Sequence, residues 1–339
     1  LRTDPGWLAW GRRLDFYTIL RLKTAEESRT KWTGSFVIIA PADLCMRLNE
    51  SMERRDFFKS AGAIALAQAM RAQVPSVTSS VMLWTLQGPF EKRLEVASQA
   101  GVQSVELVTE HIDWSDAQIR DMKKLAASLH LKMDTILAQN DWKHRPVTMV
   151  KPEDREGFLA DVRQAIVFAQ KLEVPQIILM SGDDVPGRTH AEQYASMLES
   201  VKRAGDLAAK ANLDLIIEPL NNKVDHKGFF LSTCGEGLKL VKESQNPHVK
   251  LLFDIYHEQV QVGNVIRTMR EAWPHVAVFH VADNPGRNDP GTGEMNYENI
   301  YKAIQSFGYK GYVTMEYLPI GDQTASLTRA TKNMRGTLS

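Results

Sequence analysis

Four polar residues in the carboxyl-terminal part of the chain each follow a short apolar run. They are Glu218 in Leu-Ile-Ile-Glu-Pro-Leu-Asn, Asp254 in Leu-Leu-Phe-Asp-Ile-Tyr-His, His280 in Val-Ala-Val-Phe-His-Val-Ala-Asp and Glu316 in Tyr-Val-Thr-Met-Glu-Tyr. Runs of this length, rich in β-branched and aromatic residues, predict buried strands. Three carboxylates and one imidazole at successive strand ends could coordinate a divalent cation. That donor set suits Mg²⁺, Mn²⁺ or Co²⁺ better than structural zinc, which favours Cys and His. Taken singly, a strand-end carboxylate more often caps a helix, and a histidine after an apolar run more often sits hydrogen-bonded in a core. One such residue after each of four consecutive strands is the reason to read them together.

The elements that must position these residues begin near Ser76. Strands are predicted at Val81–Trp84, Ser104–Val108, Leu131–Leu137, Gln176–Met180, Leu213–Ile217, Val249–Phe253, His275–Phe279 and Tyr312–Met315, with a helix after each. Eight strand–helix units in about 260 residues is the size of one (β/α)₈ barrel, spanning residues 76–335. In such a barrel the strand ends and the loops after them form the active face. Neighbouring strands lie about 4.8 Å apart, so four adjacent strand ends can meet at one ion. Pro219 biases Glu218 toward extended geometry, as a strand terminus requires. A doubly wound sheet would give the same alternation, but no Gly-x-Gly-x-x-Gly turn follows the first strand.

Composition narrows the partner. The 339 residues include 41 Lys+Arg and 41 Asp+Glu, a formal net charge of zero. A nucleic-acid binder usually carries a basic excess, so a small molecule is the expected partner and nucleic acid is not. Cys45 and Cys234 make neither a disulfide framework nor a Cys-type zinc pattern. No apolar stretch reaches the roughly 18 residues of a membrane span. A homo-oligomer is compatible with all of this.

Residues 1–75 read differently. Arg54-Arg55-Asp56-Phe57-Phe58-Lys59, followed by an Ala-rich apolar run to Ala69, resembles a twin-arginine export signal. Met52 fits the start of such a signal. The expectation is a poorly ordered amino-terminal extension, a mature chain beginning near residue 70, and an exported, periplasmic protein. A non-functional signal would leave it cytoplasmic, and an amphipathic helix with a basic start is the plainer alternative.

The block from Glu218 to Tyr317 resembles the hydroxypyruvate isomerase group of the xylose-isomerase-like TIM-barrel superfamily. The resembling pieces are Glu218-Pro219-Leu220-Asn221, Asp225-His226-Lys227-Gly228-Phe229-Phe230-Leu231, Phe253-Asp254-Ile255-Tyr256-His257, His280 to Arg287, Asp289-Pro290-Gly291-Thr292-Gly293-Glu294, Asn296-Tyr297 and Glu316-Tyr317. Members of the isomerase group often have Gln where His280 stands, whereas the related ketose 3-epimerases have His. The resemblance implies a sugar or hydroxy-acid isomerase working by metal-assisted enediol proton transfer, nominally hydroxypyruvate to tartronate semialdehyde. It makes Glu218 and Glu316 the acid/base pair and also metal ligands, with Asp254 and His280 completing the set. His257 would reach a substrate oxygen and Arg287 a substrate carboxylate, with a pairing of Arg287 to Asp283 or Glu294 as the plainer alternative. His226 and Asn221 are weaker pocket candidates, and Trp84 and Phe229 would form an apolar wall. Two alternatives are a ketose 3-epimerase and, outside catalysis, an exported sugar-binding barrel without turnover. The superfamily's abasic-site endonuclease branch fits poorly, because its zinc cluster and basic groove need more His and more positive charge.

Overall fold

Strand and helix alternate along the chain because its apolar residues alternate between two periods. In the computed structural model the described residues are 77–138 and 147–338, together with the backbone of two short strands near the amino terminus. Those two strands, Tyr17–Arg21 and Val37–Pro41, pair antiparallel with Ile19 opposite Ile39. The chain divides into two units, Leu1–Val74 and Pro75–Ser339. The twin-arginine-like stretch at Arg54-Arg55 lies outside the described residues, as do residues 139–146 of the loop after the third barrel strand.

The second unit is a closed parallel barrel of eight strands. In order they are β1 (Thr78–Met82), β2 (Ser104–Leu107), β3 (Lys132–Leu137), β4 (Gln176–Leu179), β5 (Asp214–Ile217), β6 (Val249–Asp254), β7 (Val276–Val281) and β8 (Tyr312–Met315). Each pairs with the next, and β8 closes onto β1. The helices are α1 (Phe90–Gln99), α2 (Asp116–Ser128), α3 (Arg155–Leu172), α4 (His190–Ala211), α5 (Cys234–Ser244), α6 (Ile255–Gln261), α7 (Val265–Ala272), α8 (Tyr297–Ser306) and α9 (Gln323–Leu338). Two helix starts are fixed by reciprocal capping boxes, Ser115 with Gln118 and Thr189 with Glu192. Each satisfies two backbone donors that the first turn leaves open. Among the described residues no helix is long and apolar enough to cross a membrane.

Side chains along a strand alternate between faces, and here the alternation separates two apolar layers. Met82, Leu137, Ile178, Ile216, Leu252 and Val278 pack together inside the barrel. Val81, Ile177, Ile217, Phe253 and Phe279 belong to the larger cluster between strands and helices. Two residues beyond Ile216, Leu252 and Val278 along the same inner face come Glu218, Asp254 and His280. On β8, Tyr312 packs on the inner layer, which sends Thr314 and then Glu316 inward.

Two sequence expectations need correction. The first strand is Thr78–Met82 and not Val81–Trp84; Leu83–Thr85 is a single 3₁₀ turn. The apolar type of Leu83 and Trp84 reflects burial and the site wall, not strand pairing. The second is α6, which the sequence reading missed. It begins directly at Ile255, because the Asp254 side chain accepts from the His257 backbone N–H at 2.8 Å and caps it.

Gly237 lets α5 approach the strand that carries Glu218. A Cβ there would lie 2.8 Å from Leu251 Cδ1 and 2.9 Å from Pro219 Cγ. Gly237→Ala is therefore expected to cost about 1–3 kcal/mol of stability through overpacking, read from urea unfolding. A neutral result would show that α5 has room to move.

Candidate active site

Glu218, Asp254, His280 and Glu316 converge. Each offers one donor atom, and these atoms all lie within 4.8 Å of one another. All four residues are buried. Register explains the meeting: Asp254 pairs with His280 across β6–β7, and Thr314 pairs with His280 across β7–β8. Glu316 therefore stands one inward step beyond His280. His280 Nδ1 lies 2.7 Å from Glu316 Oε2, 3.6 Å from Glu218 Oε1 and 4.0 Å from Asp254 Oδ2.

Three carboxylates crowded away from water repel one another, and protonation is one way to relieve that. Burial and the Glu316 charge push Asp254 up to about 7. Burial also raises Glu218, with Glu316 adding to it against an opposing contribution from His280. Glu316 goes the other way: burial would raise it, but the Arg287 guanidinium and His280 outweigh burial and hold it well below the usual carboxylate range. For His280, burial favours the neutral ring, and the Glu106 and Glu316 carboxylates overcome it to hold its pKa well above that of free imidazole. A divalent cation would relieve the same crowding. The residues fit one, with three carboxylates and an imidazole within a single ion's reach.

The expected substrate groups surround this cluster, though not all by direct approach. Arg287 is largely shielded, its side chain 12% exposed. Its Nη2 lies 2.8 Å from Glu316 Oε1 and 3.9 Å from Asp254 Oδ2. The alternative pairing with Asp283 or Glu294 is not seen. Asp283 accepts from the backbone N–H of Asn284, Gly291 and Met295, and Glu294 accepts from Asn284 and Gln259. Arg287 adopts a left-handed backbone, φ 54°. Its guanidinium sits 5.3 Å from the Trp84 ring centre and 5.4 Å from that of Tyr256. The apolar-wall role given to Trp84 is incomplete, since its indole N–H donates to Glu316 Oε1 at 3.0 Å. Phe229 is buried, with its ring 6.0 Å from that of His226.

His257 has a defined tautomer. Its Nδ1 accepts from the Asn221 backbone N–H at 3.2 Å, with Asn221 Nδ2 a further 2.6 Å contact. The proton therefore belongs on Nε2, which has no hydrogen-bond partner and lies 3.8 Å from Asp254 Oδ2. Burial, reinforced by Arg287, holds the ring well below the ordinary histidine pKa and so neutral. The result is a buried, unsatisfied N–H donor beside the cluster. Asn221 acts from behind it. Asn221 donates to Asp225 Oδ2 at 2.6 Å, and its Oδ1 accepts from the Val224 and Asp225 backbones. Asp225 Oδ2 also accepts from the Tyr256 hydroxyl at 2.9 Å. His226 stacks obliquely at 5.3 Å from the His257 ring.

Sequence reading missed two carboxylates beneath the cluster, Glu106 on β2 and Asp134 on β3. Both are fully buried. Glu106 Oε2 lies 3.0 Å from His280 Nε2, and Asp134 accepts from Ser80 at 3.3 Å. Burial, then the nearby Glu106, pushes Asp134 well above the usual carboxylate range. The available signal was a charged residue in the middle of each strand, Ser-Val-Glu-Leu and Lys-Met-Asp-Thr-Ile-Leu, where a buried strand should be apolar.

Comparison with known proteins identifies relatives of this barrel. Residues 94–334 match the family described as xylose isomerase-like TIM barrel. The chain is 32% identical over 233 residues to the hydroxypyruvate isomerase of Escherichia coli, covering 68% of this chain and 88% of that one. It is 25% identical over 255 residues to the 2-oxo-tetronate isomerase of Cupriavidus necator, covering 75% and 96% respectively. The fold is shared with a solved D-psicose 3-epimerase from Clostridium cellulolyticum H10, with a TM-score of 0.65 and 19% identity over 78% of this chain and all of that one.

Proposed function

The chain belongs to the xylose isomerase-like TIM-barrel family and, within it, to the hydroxypyruvate isomerase group; from that premise we propose a specific reaction for this isomerase. It interconverts an α-hydroxy aldehyde and a ketone in a small hydroxy acid, nominally hydroxypyruvate and tartronate semialdehyde, through an enediolate. The observation that carries the reading is the meeting of Glu218 and Glu316 around His280.

The reaction moves one proton between adjacent carbons, so it needs one group to take it and one to give it. Glu218 and Glu316 are that pair. Their surroundings drive their pKa values apart, Glu218 up and Glu316 down, which suits opposite roles in one turnover. Glu218, Asp254, His280 and Glu316 would hold a divalent ion, Mg²⁺, Mn²⁺ or Co²⁺. When bound, that ion supplies positive charge beside the developing enediolate oxygens. The His257 Nε2–H donates to a substrate oxygen. Because the ring is neutral, it stabilises negative charge there without giving up a proton first. Arg287 binds the substrate carboxylate, and a forked guanidinium matches a carboxylate where an ammonium does not. The test is a substrate screen that follows solvent deuterium entering at carbon, with and without chelator. No exchange with any hydroxy-carbonyl compound would end this reading.

A ketose 3-epimerase is the second reading, favoured by His280 where the isomerase group often has Gln. Arg287 separates the two. Arg287→Lys is expected to raise KM for hydroxypyruvate about tenfold to a hundredfold, from one lost charge-assisted bond of about 1.5–3 kcal/mol, and to leave neutral ketoses far less affected. Equal loss on both substrates would remove the carboxylate assignment.

We further propose that the Arg54-Arg55 stretch exports the protein. Arg54→Lys combined with Arg55→Lys should retain it in the cytoplasm. Unchanged fractionation of that variant would refute export by this route.

A further inference from the structure

On the β1–β3 and β8 side of the barrel interior, a group of polar residues stands beside the apolar inner layer. Ser80 and His280 both pair in register with Thr314. Glu106 and Asp134 reach into the same level from β2 and β3, and all five residues are fully buried. Such a layer is costly unless its groups answer one another. Thr314 Oγ1 donates to Glu106 Oε1 at 2.7 Å. That leaves Glu106 Oε2, which lies 3.0 Å from His280 Nε2. Neither of these two atoms has another partner among the described residues. They face each other at hydrogen-bonding distance.

We propose that Glu106 is a positioning residue: it holds the His280 ring from inside the barrel so that Nδ1 is presented to Glu218, Asp254 and Glu316. A carboxylate can only accept from Nε2, so the proton stays on that nitrogen and the Nδ1 lone pair is the one offered. A ring nitrogen that binds a cation must be unprotonated. The partner on the far side of the ring thus decides which nitrogen is available and where it points. Thr314 adds a second restraint, because its hydroxyl fixes the carboxylate that fixes the ring. Glu106 reaches the centre only through the far side of the His280 ring and is not one of the four converging donors.

The proposal rests on the reading that the four residues bind a divalent cation, and the experiment separates the two. Mn²⁺ binding would be measured by calorimetry on the wild-type full chain, Glu106→Gln, His280→Gln and the double variant, with circular dichroism as the check on folding. No Mn²⁺, Mg²⁺ or Co²⁺ binding by the wild type would sink the cation reading itself. If the wild type binds, Glu106→Gln should weaken Mn²⁺ about tenfold to a hundredfold. In the His280→Gln background the same substitution should cost no more than about twofold, the scatter of independent sites. Equal losses in both backgrounds would mean that Glu106 only supports the fold, and unchanged affinity in Glu106→Gln would mean that it does nothing for the ring. Either result overturns the proposal. Should Glu106→Gln fail to fold, Thr314→Val takes its place: it removes only the hydroxyl clamp and should weaken Mn²⁺ measurably when His280 is present. Wild-type affinity in that variant overturns the proposal as well.

Discussion

Glu218→Gln and Glu316→Gln are each expected to lower turnover about a hundredfold to ten-thousandfold, the usual contribution of a positioned acid or base. Gln keeps the shape and one oxygen donor but can neither take nor release the proton. Both positions are buried beside His280, so the amide also removes one negative charge from a crowded centre. At Glu218, whose pKa is raised, loss of charge should ease the folding cost, and the variant is expected to melt at or above wild type. Glu316→Gln takes the partner from Arg287 and is expected to melt below wild type. Assays at saturating Mn²⁺ separate lost proton transfer from lost ion binding. Either variant turning over at the wild-type rate would remove that residue from the acid/base pair.

Cation affinity should climb steeply from about pH 6 to about pH 7 and go on rising above it, because His280 also holds a proton that the cation must displace. Asp254 is held at about 7 by burial and by Glu316, against about 3.9 in an unfolded chain. Between those values the folded protein holds a proton that the unfolded chain has lost. Stability from this group is thus complete below the unfolded value and is lost as pH rises through about 7. A divalent ion competes for the same oxygen and needs it ionised. Ionisation of this group should therefore contribute up to about tenfold in affinity per pH unit until about 7. Mn²⁺ at a hundred times its Kd would add about 2.7 kcal/mol, which compensates most where the proton has gone. Thermal melts with Mn²⁺ or EDTA at both ends of the range check this. A larger Mn²⁺ shift at pH 6 than at pH 8 would contradict the competition, and turnover surviving EDTA would contradict a need for the ion.

The barrel could be read from the chain because its strands are short apolar runs at regular steps, and the helices between them carry their own start signals. The site could be read because each of its four residues interrupts or ends such a run. What could not be read were distances set by the turn and the register. Trp84 looked like strand and proved to lie in a 3₁₀ turn that brings its N–H to Glu316. Glu106 was visible as a letter in a strand, but only the pairing of β7 with β8 and the closure onto β1 place it behind His280. The loop that carries Arg287 has no period at all, and the pairing of that arginine with Glu316 had no local signal.

Asp254 spends its two oxygens on different tasks. One ties down the first turn of α6 and the other faces the converging donors. Few replacements can satisfy both. Asn would keep the turn and forfeit the charge, while Glu would keep the charge and overshoot the turn. Turn and charge together tie that position to aspartate, so a change of substrate preference is more easily accommodated at residues with a single task.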